Sequence, residues 1–150
     1  GIELLFALLR NGTPDGKVQA ALAILMISRV NNGQQVKIEE AGSIEALTAL
    51  LWEGEPEGKG VAAAGLWLAA VNADNRVKFA EAGGIEALTA LLRDGTAEGK
   101  AWAATALLLC VSTINDDNRV KIKEAGGIQA LVALLRDGTP DGKVKAARVL

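Results

Sequence analysis

The 150-residue chain carries 16 basic and 18 acidic side chains, a formal net charge of −2 and a pI near 5.2. It therefore has no broad positive field to hold a phosphate backbone, which argues against nucleic acid as its main partner. Half of the residues are apolar but only 3% are aromatic, so the core must be built from Ala, Leu, Ile and Val, a composition that favours closely spaced helices.

Taken in chain order, the sequence repeats itself. "GIELLFALLRNGTPDGK" begins at position 1, "SIEALTALLWEGEPEGK" at 43, "GIEALTALLRDGTAEGK" at 84 and "GIQALVALLRDGTPDGK" at 127. Their isoleucines, Ile2, Ile44, Ile85 and Ile128, stand 42, 41 and 43 residues apart. A second block precedes three of them: "NNGQQVKIEEAG" at 31, "NADNRVKFAEAG" at 72 and "NDDNRVKIKEAG" at 115. From the Asn of each block to the following Ile is always 13 residues, so the variation in length falls at the end of the preceding helix. A period near 42 is the signature of a solenoid.

Each repeat predicts three helices. In the best-formed copy the first runs from about Asn75 to Ala82 and stops at Gly83, a residue suited to the left-handed cap conformation. The second starts near Ile85, and its Ile85, Leu88, Leu91 and Leu92 form one core-facing stripe before Gly95 ends it. The third opens on a start signal at Thr13-Pro14-Asp15, Thr96-Ala97-Glu98 and Thr139-Pro140-Asp141. There Thr caps free amides, Pro tolerates the first helical position and the acid meets the positive end of the helix dipole. Glu55-Pro56-Glu57 keeps the Pro and acids but lacks the Thr.

Chemistry-bearing motifs are sparse. "GTPDGK" invites comparison with a phosphate-binding loop, but Gly12 and Gly16 have three residues between them instead of four, and Val18 follows Lys17 where a hydroxyl is needed. The motif reads as a helix-to-helix turn. The chain has no His and no Tyr, so the commonest general base is missing. Cys110 lies in the apolar run "AATALLLCV" with no imidazole partner and reads as a core residue. Carboxylate pairs such as Glu39-Glu40 and Asp116-Asp117 read as solvated helix starts or turns, and no His/Cys cluster suggests a metal site. Catalytic, cofactor and metal residues are accordingly none, and the chain is read as a non-enzyme. The basic residues Arg76, Lys78, Arg119, Lys121 and Lys123 are interleaved with Glu81 and Glu124 and read as an ordinary solvated surface.

One cysteine rules out an internal disulfide framework and fits a reducing compartment, with cytoplasm or a recombinant host the expected setting. No membrane span is expected, because the longest uncharged stretch, 101–115, falls short of the roughly 20 residues a bilayer requires. The chain opens "GIELLF" without Met and ends "AARVL", which reads as a fragment or trimmed chain with apolar ends.

Three helices per repeat of about 42 residues, with junctions such as "EAGGIEALTALL" and "EAGGIQALVALL", resemble the armadillo repeat over essentially the whole chain. The resemblance implies an all-α, right-handed superhelix in one domain. Its parts would be a partial repeat over 1–30, repeats over 31–71 and 72–114, and a truncated one over 115–150. It also implies that the third helices line a concave groove of the kind that binds extended peptides or partner proteins. In a typical member the third helix carries a Trp and, about one turn later, an Asn that clamps a peptide backbone. The Asn position falls here at Met26, Leu68 and Leu109, and the Trp position at Leu22, Ala64 and Thr105, so the polar clamp is absent.

In its place stands a stripe reading Val18, Leu22, Leu25 and Met26, then Val61, Ala64, Trp67 and Leu68, then Trp102, Thr105, Leu108 and Leu109. These residues lie three or four apart on each helix. One reading makes them core residues. The other makes them an exposed apolar face with the composition of an interface. The expected interface residues are Leu22, Met26, Val61, Ala64, Trp67, Leu68, Trp102, Thr105, Leu108 and Leu109. The expected function is a scaffold, with repeats regular enough to suggest a designed chain, that contacts a protein partner or a second copy of itself through this face or through its ends. The alternative is a natural repeat fragment that binds an extended peptide or a small hydrophobic ligand in the groove. Neither reading calls for a cofactor.

Overall fold

A computed structural model describes residues 2–30, 34–70, 73–111 and 116–150. The described residues form ten α-helices. They are α1 (Ile2–Asn11), α2 (Pro14–Val30), α3 (Gln34–Glu53), α4 (Pro56–Ala69), α5 (Ala73–Glu81), α6 (Gly84–Asp94), α7 (Ala97–Val111), α8 (Asp116–Glu124), α9 (Gly127–Asp137) and α10 (Pro140–Val149). No strand occurs among the described residues.

Helix starts follow the local chemistry. The Thr13, Thr96 and Thr139 hydroxyls accept from the amides of Gly16, Gly99 and Gly142 at 3.2, 3.0 and 3.2 Å. Each capping bond satisfies one amide that the first turn leaves without a partner. α4 starts at Pro56 behind Glu55, whose side chain makes no capping bond, in keeping with the missing Thr.

The helices stack in two layers. In the layer of second helices, Ile44, Leu47, Leu51, Ile85, Leu88, Leu92 and Leu131 are essentially inaccessible to solvent. Opposite them runs a row of third helices, α2, α4, α7 and α10, each packed on the next. The row is close-packed because its contact residues are small: Ala20, Ala21, Ala62, Ala63, Ala103, Ala104 and Ala146 are fully buried. Where α4 meets α7, a Cβ built on Gly60 would lie 3.6 Å from the Cα of Gly99.

Between first and second helices the chain turns a corner on paired glycines. Gly83 and Gly126 adopt φ of 81° and 82°, left-handed conformations that a side chain disfavours. The residue after each, Gly84 or Gly127, is covered so closely by Phe79 or Ile122 that a Cβ would overlap it. The first complete repeat differs from the three-helix expectation. Ser43 stands at the position of Gly84 and Gly127, the corner is missing, and the first and second helices run together as the 20-residue α3. Ser43 carries the Cβ that the close-packed corner excludes, whereas a continuous helix accommodates it.

The first helices also tie repeats together. The buried side chains of Asn75 and Asn118 donate to the carbonyls of Ala69 and Cys110 at 3.1 Å, at the ends of the preceding third helices. Arg76 departs from the solvated surface expected of the first-helix basic residues. It is half-buried, and its Nη1 donates to the Leu109 carbonyl at 3.4 Å because the last turn of a helix leaves carbonyls without intrahelical partners.

Two outcomes follow. Gly84→Ser should lower stability by about 1–3 kcal/mol through overpacking. Adding Phe79→Ala should make the glycine substitution cheaper in a double-mutant cycle, measured by urea denaturation. Asn118→Ala removes the buried bond to the Cys110 carbonyl and should cost about 0.5–1.5 kcal/mol on the same assay.

Candidate functional site

Outward-facing positions on the third-helix row form the candidate site. Met26 on α2 is 63% exposed and Val61 on α4 is 37% exposed. Trp67 on α4 and Trp102 on α7 are half-buried against the core, with ring centroids 5.6 Å apart and planes inclined at 47°. Tilted aromatic pairs at this distance are attractive and hold both rings in place. Together the two indoles bridge neighbouring helices on the outer side of the row.

The remaining positions differ in character. Leu22 is half-buried and packs on the core. Ala64, Leu108 and Leu109 are half-buried. Thr105 is half-buried too, but its hydroxyl donates to the Ala101 carbonyl at 2.9 Å, so it presents mainly its methyl group. Leu108 lines a separate cleft of about 500 Å³ with Arg119, Ile122, Ile128 and Leu131. The side chains of Leu25 and Leu68 lie outside the described residues. Val18, placed on the stripe by its spacing, is 3% exposed and belongs to the core, because it stands one position earlier in the helical register than Val61 and Trp102.

A basic residue also belongs to this face. Lys145 on α10 lies with Nζ 5.0 Å from the centroid of the Trp102 ring and 2.9 Å from Oδ2 of Asp141. With Glu98 these residues line an open cleft of about 460 Å³ between the first turns of α7 and α10. The signal was available in the sequence: counting two residues past each repeated Gly-Lys gives Gln19, Val61, Trp102 and Lys145 in register.

Chemistry at this face is that of contact. No group of three or more His, Cys, Asp or Glu side chains fit to hold a metal occurs among the described residues, and no helix of the described residues is long and apolar enough to cross a membrane. Cys110 is 1% exposed, and burial pushes its thiol from 9.0 up to about 12, with the positive charge of Arg76 a smaller, opposing influence.

No protein-family model matches the chain, and no curated protein does. Solved structures do. An engineered protein superposes with a TM-score of 0.82 at 28% identity over 99% of this chain and 61% of its own. A designed armadillo repeat protein in complex with the peptide (KR)4 gives 0.81 at 30% identity, over 97% of this chain and 61% of its own. One described as computationally designed for modular peptide recognition gives 0.79 at 30% identity with the same coverages. The chain thus spans less than two thirds of the length of these proteins.

The Cys110 thiol should set a pH dependence. An unfolded chain loses this proton near pH 9.0 while the folded chain keeps it to about 12. Stability is therefore fully present below pH 9 and falls as pH rises through that interval. Compared with Cys110→Ala by denaturant titration between pH 8 and 11, the parent should lose stability more steeply. In the native state the thiol should resist iodoacetamide.

Proposed function

We propose, from the premise that the chain is an armadillo-like repeat solenoid akin to designed proteins of that fold, that it is a non-enzymatic scaffold that docks a protein or peptide segment on its third-helix face. The observation that carries this reading is the exposure of Met26 and Val61 on the same row of third helices as the half-buried Trp67–Trp102 pair. Exposed apolar side chains around rigid aromatic anchors have the make-up of an interface centre. The neighbour described with a bound peptide supports the same use of the fold. The positions where the family resemblance calls for a backbone-clamping Asn hold Met26, Leu68 and Leu109, so binding here depends on side-chain burial more than on backbone hydrogen bonds.

A segment of protein suits this face better than a small hydrophobic ligand, since the apolar positions are spread over α2, α4 and α7 instead of enclosing one cavity. A second copy of the chain is one such partner, seated on this face or at the ends of the helical row. The scaffold is placed in a reducing compartment such as the cytoplasm, or in a recombinant host, in line with its single buried thiol.

Peptide-library selection on the 150-residue chain, followed by calorimetry, tests the proposal. Selected segments should lose at least about tenfold in affinity, roughly 1.4 kcal/mol, on Val61→Glu or Met26→Glu. Val77→Glu, at an exposed position on α5, should leave affinity unchanged. Segments insensitive to Val61→Glu and Met26→Glu would sink the reading. Sedimentation equilibrium across a concentration series addresses self-association: oligomers that survive both substitutions would place that contact elsewhere.

A further inference from the structure

Position for position, the third helices carry Gln19, Val61, Trp102 and Lys145 two residues after the Gly-Lys pair, so the residue that follows the aromatic one along the row is basic. Its ammonium lies over the indole of Trp102, 5.0 Å from the ring centroid, and is held 2.9 Å from Asp141 Oδ2. The Lys145 side chain is only 25% exposed while that of Asp141 is 68% exposed. Glu98, an exposed residue on the first turn of α7, lines the same cleft. An aromatic face with a carboxylate close by attracts a cation, and here the chain supplies one from within.

We propose that Lys145 is a built-in occupant of a cation subsite on Trp102, so that a basic side chain of a partner docks there only by displacing it. This rests on the third-helix face being a docking surface. The chemistry of the contacts favours arginine as the displacing group. The ion pair that restrains Lys145 ends on a well-exposed carboxylate, where solvent screens it and makes it cheap to break. A guanidinium is flat, stacks on an indole, is less strongly hydrated than an ammonium and can take a carboxylate bidentately with its fork of donors. Lys145 thereby decides which segments this end of the face accepts: a neutral or acidic residue finds the ring covered, and an arginine can compete for it.

Titration of acetyl-tetraarginine amide, with its citrulline analogue as the uncharged control, tests the proposal by calorimetry on the full chain. Lys145→Met should bind tetraarginine roughly three- to tenfold more tightly than the parent. The citrulline analogue should show no gain, and Lys145→Arg should stay at the parent value. Lys143→Met, which removes an exposed charge from the same helix, reports the general effect of lowering positive charge, and the Lys145 gain must exceed it. In the Lys145→Met background, Trp102→Ala should abolish the gain. Equal affinities for the parent and Lys145→Met, no binding by either, or a gain that survives Trp102→Ala would each overturn the proposal. The docking reading fails separately, through library segments that ignore Val61→Glu and Met26→Glu, whatever tetraarginine does.

Discussion

The structure depends on how near its third helices can come to one another. Ala20, Ala21, Ala62, Ala63, Ala103, Ala104 and Ala146 are fully buried along the third helices. Where α4 meets α7 a Cβ on Gly60 would lie 3.6 Å from the Gly99 Cα, so small side chains let neighbouring helices come close. Burial of this kind yields little energy per residue, since a methyl group removes little area from water. The larger gain comes from the layer behind, where Ile44, Leu47, Ile85, Leu88 and Leu131 are sealed by the approach that the alanines permit. A bulkier residue in any alanine column would lift a whole repeat off its neighbour and expose the leucine layer. The same row buries Val18, Ile24, Leu66 and Leu107 and carries Met26, Val61, Trp67 and Trp102 at its outer side.

Corners are governed by a second steric rule. Where two glycines are consecutive, one takes the left-handed turn and the other lets an aromatic or branched side chain lie flat on the backbone. Where Ser43 stands at the second position, the two helices run together as α3. The stacking of repeats is carried by the second- and third-helix layers, with the first helices adding the Asn75 and Asn118 tethers.

Much of this was legible in the sequence because it is written four times. The period, the Thr and Gly boundaries and the Ile/Leu stripes each recur in phase, which gives every assignment independent copies to agree with. The fused α3 could not be read that way, because the consequence of Ser43 depends on what packs over the corner, a contact between side chains that periodicity does not encode. Val18 was misplaced for a related reason: one helical position is 100°, enough to move a side chain from the outer face to the core. Arg76 reads as solvated from its charged neighbours in sequence, and only the packing shows that it meets a helix-end carbonyl, as it shows that Lys145 meets an indole ring. Exposure of Met26 and Val61 was foreseeable from phase, but the Trp67–Trp102 contact joins two helices and became visible only with their relative height fixed.

The asparagine tether has a consequence for how such a chain tolerates change. Ala69 and Cys110 occupy the same place in their helices, yet Asn75 reaches the first across six residues and Asn118 reaches the second across eight. The tether fixes where the next helix begins without fixing how much chain lies between, and loop closure itself is only weakly sensitive to length. These junctions are therefore the points at which residues can be gained or lost while the superhelix stays in step. That makes them natural splice points for adding, removing or exchanging whole repeats.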